Sequence, residues 1–317
     1  VYEFRPFDNT DPPHLAEIWR SQPPQRGVMQ PTSAMLLEQL VFSKPYFDPA
    51  GLILAFRDGH PVGFVHAGFG PNDEGTALST EMGTTYLLML ENGVNDRALA
   101  NELLARSEAY LRGRGATVIY GGGIRPLNSF YLGLYGGSEL PGVLDTDPVL
   151  GDACRRNGYR EIDRVLILRR DVSDFRPAVT REQRQLRRVM ASGETYCPPP
   201  ANWWEASTTG AFEQIDFYLQ LIDGGQLLAS VSFWDVEPLS TSWGVATAGM
   251  FDLQVATDAR RKGYATFLLG EAFTRLKNRG IVMVEAQTMQ GNASALAMYA
   301  KLGFATVGHG DVFRKGV

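Results

Sequence analysis

"DARRKGYATFLL", Asp258 to Leu269, places two arginines and a lysine directly before a glycine, and the glycine opens an apolar segment. From Ala265 onward the apolar residues fall at Leu268, Leu269, Ala272, Phe273 and Leu276. That three-to-four spacing predicts a helix burying one face. Ahead of it Met250, Phe251, Leu253 and Val255 read as a buried strand, so Ala256 to Lys262 is a turn from strand to helix. Cations at a helix start oppose the dipole, whose positive end is the N-terminus. Arg260, Arg261 and Lys262 are therefore either solvated surface charges or neighbours of an anion that the helix N-terminus favours. Gly263 lacks a Cβ, so a diphosphate could approach its backbone closely and be neutralised by the three cations.

Nothing else in the composition calls for an anion. The 317 residues carry a net charge of -5, with 44% hydrophobic and 21% charged residues, an ordinary globular mixture. That balance gives no reason to expect nucleic acid or an anionic membrane as partner, so an anion site must be local. No apolar run approaches the ~18 residues of a bilayer span. The opening "VYEFRPFDNT" lacks the apolar centre of a signal peptide. Cys154 and Cys197 cannot form a disulfide framework, which points to a reducing compartment and a cytoplasmic location. His14, His60, His66 and His309 show no metal-ligand spacing, so no metal is expected.

The length suggests two domains, and an internal duplication supports that. Asp58-Gly59 in "LAFRDGHPVGFV" and Asp223-Gly224 in "LQLIDGGQLLASV" are hairpin turns 165 residues apart (223 - 58). The same shift pairs Leu88 with Leu253, Leu104 with Leu269 and Gly115 with Gly280. Two structural copies are expected, residues 1–172 and 173–317, joined near Asp171 to Val179. Later the offset falls to 145, since Gly303 answers Gly158 at the ends of "AKLGFATVG" and "CRRNGYREI". The first copy thus holds about twenty extra residues, placed in "RPLNSFYLGLYGGSELPGVLD", Arg125 to Asp145. Its glycines and Pro141 predict a loop, either functional or a surface excursion.

Each copy reads as helix, strand hairpin, strand, helix, strand, helix, strand. In the second copy these are a helix near 181–191, strands 217–222 and 227–234, and a strand 247–256. A helix 263–278, a strand 281–287, a helix 293–302 and a strand 305–314 follow. The class is α+β, a mixed sheet with helices packed on it.

Twenty-seven residues beyond Ala265 (292 - 265) comes "NASALAMYAKLGF", Asn292 to Phe304. Asn292 can cap this helix, while Ala295, Tyr299 and Gly303 share one face at four-residue spacing. Ala295 leaves room for something lying along that face. Tyr299 brings a phenol there, or packs as a plain aromatic, and Gly303 also suits a helix end.

Together these segments resemble the GNAT N-acetyltransferase superfamily. The family's loop Arg/Gln-x-x-Gly-x-Gly/Ala is met by Arg260, Gly263 and Ala265. Its helix Asn-x-x-Ala-x-x-x-Tyr-x-x-x-Gly-Phe is met by Asn292, Ala295, Tyr299, Gly303 and Phe304. The motif-bearing part covers about Phe217 to Phe313, and the repeat extends the fold to two tandem GNAT-like domains, the first degenerate.

The resemblance implies acetyl-CoA as co-substrate, held in a wedge between the strands around Met250–Val255 and Ile281–Gln287. It implies that Leu253, Gln254 and Val255 border the thioester and pantetheine on a β-bulge. The turn Arg260, Arg261, Lys262, Gly263, Tyr264, Ala265 and Thr266 would then hold the pyrophosphate. Asn292 and Ala295 would face the pantetheine, with Tyr299 as acid for the leaving thiolate. The family's usual glutamate on the first strand is absent, because Ala248, Gly249 and Met250 stand in its place. Asp252 and Glu285 are the nearest carboxylates and the candidate bases, each equally readable as a structural charge.

At the 165 offset Asn95, Ala98 and Ala100 replace Arg260, Gly263 and Ala265, and Cys154 falls near the counterpart of Tyr299. The first copy is therefore expected not to bind acetyl-CoA in the usual manner. The implied acceptor is a small-molecule primary amine. Trp203 and Trp204 could wall its pocket or dock the two domains. Glu81, Glu91 and Glu139 could attract a cationic amine. Two rivals stand beside an amine acetyltransferase: a mycothiol-synthase-like enzyme, also built of two GNAT copies, and a CoA-binding regulatory protein without turnover.

Overall fold

A computed structural model describes residues 1–177 and 180–316, so the end of the joint expected at Asp171 to Val179 lies outside the described residues. The first half runs β1 (Tyr2–Pro6), α1 (Pro12–Ser21), α2 (Ala34–Leu37), β2 (Leu52–Arg57), β3 (His60–Pro71) and β4 (Leu78–Leu90). It continues with α3 (Arg97–Gly113), β5 (Val118–Gly121), the short β6 (Val143–Leu144), α4 (Pro148–Arg156) and β7 (Arg160–Asp171). The second half runs α5 (Arg181–Val189), β8 (Met190–Tyr196), α6 (Trp203–Thr208), β9 (Gln214–Leu221), β10 (Leu227–Asp235) and α7 (Glu237–Trp243). It closes with β11 (Thr247–Val255), α8 (Tyr264–Asn278), β12 (Met283–Met289), α9 (Ala293–Lys301) and β13 (Ala305–Gly316).

The repeat appears in three dimensions. A shift of 165 lays β4, α3 and β5 over β11, α8 and β12, and a shift of 145 carries α4 and β7 onto α9 and β13 end for end. Elements with clear apolar periods fall within a few residues of expectation. The helix expected to reach Ala191 stops at Val189, because Met190 turns extended and starts β8. That strand reads "MASGETY", without an alternation that would announce it, and is set by its pairing with β9.

Among the described residues thirteen strands join one sheet, in the order β1-β2-β3-β4-β5-β13-β7-β12-β11-β10-β9-β8, with β6 beside β13. The pairs β4–β5 and β11–β12 are parallel, and the other named pairs are antiparallel. The order is the same read from either end, apart from an exchange at the centre. The first half's β7 pairs with β12 of the second half, and the second half's β13 pairs with β5 of the first. These two central strands pair antiparallel with each other, as a two-fold relation between the copies requires.

Apolar side chains bury on both flanks. One cluster gathers Trp19, Phe64, Tyr86, Phe130 and Tyr131. Another packs Phe217, Phe233 and Val284 against Leu268, Leu269, Ala272 and Phe273 of α8, the face read from the sequence. The insertion between β5 and α4 is not a surface excursion. Ser129 to Leu144 is buried throughout except at Glu139, because this segment runs between the halves.

Candidate active site

The turn after β11 is curled by two residues in the left-handed region, Arg261 at φ 62° and Gly263 at φ 80°. Gly263 ends the turn and caps α8 without any side-chain acceptor for the first-turn N–H groups. A Cβ at Gly263 would meet nothing within 4 Å, and Arg260, Arg261 and Lys262 are exposed around it. The result is an open helix N-terminus ringed by cations. Tyr264, Ala265 and Thr266 are half-buried behind it.

The matching helix in the first half is closed. Asp96 caps α3, its Oδ1 accepting from the N–H groups of Ala98 and Leu99 at 2.9 and 3.1 Å, while Tyr2 donates to Oδ2. The Leu99 N–H foremost, and then Tyr2, hold this carboxyl below its ordinary range. The chain's own anion thus fills that position. Further along, a Cβ on Gly121 would lie 2.5 Å from Sγ of buried Cys154, whose thiol burial pushes up and keeps neutral.

Between β11 and β12 the parallel ladder runs only from Thr247–Met283 to Met250–Ala286, and both strands continue beyond it. The register of β11 against β10 slips between Ser230 and Ser232, which marks a β-bulge at Asp252 and Leu253. Asp252 sits there at φ 49°, and Gln254 pairs with Ser230. A cavity of about 370 Å³ opens where the strands part, lined by Leu253, Gln287, Asn292, Ala295 and Tyr299, with Arg125 and Glu139 from the insertion. Asn292 also caps α9, accepting from the Ala295 N–H at 3.2 Å. Tyr299 is 6% exposed, and burial, with Glu139 nearby, pushes its phenol up to about 12.

A second cavity of about 610 Å³ adjoins the first, sharing Arg125, Glu139, Phe251 and Asp252. It lies between the halves, with Asn72, Asp73 and Asn128 on one side and Asn202, Trp204, Glu205 and Trp234 on the other. Four carboxylates against one guanidinium make its lining acidic. Trp204, one of the tryptophan pair, stands between the halves. It lines this cavity and packs on Tyr46 of the first half with ring centroids 4.9 Å apart. Trp203 is more exposed and touches the edge of Tyr46.

The two carboxylates expected as candidate bases are both engaged. Asp252 accepts two hydrogen bonds from Arg125, at 2.6 and 2.8 Å. Glu285 is fully buried, accepting from Arg169 at 2.8 Å, Arg26 at 3.3 Å and the Ser138 N–H at 2.7 Å. Arg169 also lies 3.7 Å over the Trp243 ring. Glu285 therefore ties β12 to β7 and to the insertion. Of the three glutamates named for attracting an amine, Glu81 is exposed on β4 and Glu91 pairs with His60, but Glu139 faces both cavities. Sequence reading located the extra residues; it had no means of seeing that Arg125 and Glu139 reach the other copy.

Comparison with known proteins agrees with this geometry. Residues 183–304 match the Acetyltransferase (GNAT) family. A mycothiol acetyltransferase from Cellulomonas flavigena is 35% identical over 98 residues, which is 30% of this chain and only 27% of that protein. Among solved structures, a GCN5-related glucosamine N-acetyltransferase region of a fungal multi-domain β-N-acetylglucosaminidase superposes over 99% of this chain and 38% of its own, with TM-score 0.74 and 17% identity. A tandem GNAT protein from the clavulanic acid biosynthesis pathway covers 100% of this chain and 98% of its own, with TM-score 0.66 and 14% identity. At such identities these structural likenesses speak for the fold.

Proposed function

We propose that this chain, whose residues 183–304 match the GNAT acetyltransferase family and whose fold is that of tandem GNAT proteins, moves the acetyl group of acetyl-CoA to a primary amine of a small molecule. The observation that carries the reading is the contrast between two equivalent helix starts, one open at Gly263 and one closed by Asp96. An open N-terminus ringed by cations suits a pyrophosphate, so the turn from Arg260 to Thr266 is its proposed cradle. Leu253 on the bulge, Gln254 and Val255 just beyond it, and Asn292 and Ala295 across the gap border the pantetheine arm. The larger acidic cavity then receives the acceptor, and its carboxylates favour a cationic amine.

An aliphatic ammonium has a pKa near ~10 and must lose a proton before it can attack a thioester. Holding both substrates in adjoining cavities supplies proximity, and a phenol that stays protonated supplies an acid for the departing sulfur. Tyr299 is that acid in this proposal. The test is thiol release from acetyl-CoA against a panel of primary amines, beside calorimetric titration of CoA. Binding with turnover on at least one amine is the expected result. Binding without turnover on any amine would favour a regulatory CoA-binding protein. A second reading, favoured by the 35% identity to a mycothiol acetyltransferase, is transfer to the deacetylated form of mycothiol. Its inclusion in the panel decides between them by relative kcat/KM.

A further inference from the structure

We infer that the base for acetyl transfer is Glu139, delivered to the second half's site by the first half's insertion; this rests on the acetyl-transfer reading. The reason begins at Gly249 on β11. A Cβ there would lie 2.9 Å from Cβ of Ser138 and 2.8 Å from Nε1 of Trp234. The strand therefore has no room for a carboxylate side chain at that point, because the insertion crosses directly over it. The residue that follows Ser138 is the glutamate.

The crossing segment is pinned by three side chains from two strands. The Ser138 N–H donates to Glu285 on β12, the Ser138 carbonyl accepts from Trp234 on β10 at 2.9 Å, and the Glu139 carbonyl accepts from Gln287 on β12 at 2.8 Å. Held this way, Glu139 is the single residue of the buried run Ser129–Leu144 that is not itself buried, and 26% of its side chain remains accessible. It faces the cavity of Tyr299 on one side and the acidic acceptor cavity on the other. No other glutamate or aspartate among the described residues lining both cavities is free of a close ion pair. Asp252 is held by Arg125, whereas the Arg125 guanidinium stays 3.8 Å from Glu139.

The charged and titratable groups around Glu139 are Arg125 on its own segment, Asp252 on β11, Tyr299 on α9, and Asp73 and Glu205 across the acceptor cavity. Burial raises its pKa, Arg125 opposes that and Asp252 adds to it, leaving the carboxyl pushed up to about 7. A base poised there is about half ionised in neutral buffer, more so above it, and strong enough to take a proton from an ammonium in a positioned pair.

The step balances as follows. The ammonium gives one proton to the Glu139 carboxylate, and the neutral nitrogen bonds to the thioester carbon. The carbon–sulfur bond breaks as the Tyr299 phenol protonates the sulfur. The proton that the new amide nitrogen sheds restores the phenol, and Glu139 releases its own to solvent. One ammonium and one thioester become one amide, one thiol and one proton.

The test compares the wild-type chain with Glu139→Gln and Glu139→Asp, using acetyl-CoA with benzylamine, glucosamine and hydroxylamine as acceptors. Calorimetric CoA titration checks that the cofactor site is intact. The expected result is CoA affinity within about threefold of wild type and a loss of about 10²–10⁴-fold in kcat/KM for Glu139→Gln with ammonium acceptors. The wild-type rate should rise with pH through about 7, and that limb should vanish in Glu139→Gln and persist, shifted, in Glu139→Asp. The loss should be smaller with hydroxylamine, which is already neutral and needs no base before attack. An unchanged pH profile in a turning-over Glu139→Gln enzyme overturns the assignment alone. Absence of transfer by the wild type to any of the amines overturns the acetyl-transfer reading, and this inference with it.

Discussion

Arg125 and Asp252 face each other through two parallel hydrogen bonds of 2.6 and 2.8 Å, which fasten the first half's insertion to the β11 bulge of the second. Both side chains are substantially exposed, 50% and 37%, so the pair adds little stability, about 0–1 kcal/mol. Its position matters more than its energy, since both residues line both cavities. Asp252→Asn should leave the melting temperature nearly unchanged and raise the acceptor KM several-fold more than the acetyl-CoA KM. Equal effects on the two KM values would remove the pair from the wall between the substrates.

Gly263→Asp brings a carboxylate and a Cβ to a residue at φ 80°, at the open start of α8. CoA affinity should fall by at least about 10²-fold, since a like charge meets the pyrophosphate and the strained turn loses its curl. Calorimetry of the wild type should give one CoA per chain, because Asp96 closes the other helix. Asp96→Ala should cost about 1 kcal/mol as a lost cap without creating a second site, since Cys154 still fills the gap beside Gly121. Unchanged CoA affinity in Gly263→Asp would sink the placement of the cofactor.

Tyr299→Phe keeps the aromatic packing on Phe304 and removes only the hydroxyl. With the phenol pushed up to about 12, it stays protonated over the whole assay range. A fall of about 10²-fold in kcat with little change in either KM is expected from loss of an acid that acts only in the transition state. Pre-steady-state thiol release measures the step directly.

Glu285→Ala would strand Arg169 and Arg26, whose side chains are only 14% and 20% exposed, without their carboxylate. The expected destabilisation is about 3–5 kcal/mol by denaturant titration, with activity lost as the Ser138 N–H loses its acceptor. Glu285→Gln keeps one oxygen acceptor for the Ser138 N–H and should recover part of both.

His66 gives a pH signature of the fold itself. It is fully buried, its Nδ1 bonded to the Tyr131 hydroxyl at 2.7 Å, and burial drives its pKa down to about 3. The unfolded chain protonates near 6.5, so the stability from keeping this ring neutral is complete above that pH and is lost as pH falls toward 3. Between pH 6.5 and 5 the loss from this one group should approach about 2 kcal/mol, at roughly 1.4 kcal/mol per unit. His66→Gln should flatten that part of the stability curve, as measured by urea unfolding at several pH values.

The motifs of the second copy were readable in the sequence because their signals are local. Gly263 and the cations before it lie within one turn of each other, and Asn292, Ala295 and Tyr299 lie on one face of a single helix, so spacing alone reads each set. The duplication was readable for the same reason, as Asp-Gly hairpins and apolar periods recur at a fixed distance. Contacts set by tertiary placement were not readable. Glu139 lies 113 positions before Asp252 (252 - 139), and no periodicity records that its segment crosses β11. Gly249 carried half the message, as a missing side chain that only the crossing segment explains.

The exchange of β7 and β13 has a consequence for how the protein is made. When β5 leaves the ribosome, β4 can pair on one side, but its other neighbour in the finished sheet begins 192 positions downstream (313 - 121). The nascent first half must therefore wait with an unpaired strand edge, the kind of surface that recruits foreign strands. Nor can β7 find its own partner before β12 has been translated. A chain halted after the first copy should be sticky rather than independently folded, and chaperone demand during synthesis should peak before the second copy is complete. Co-expressed halves should rescue each other, because each carries the strand that the other lacks.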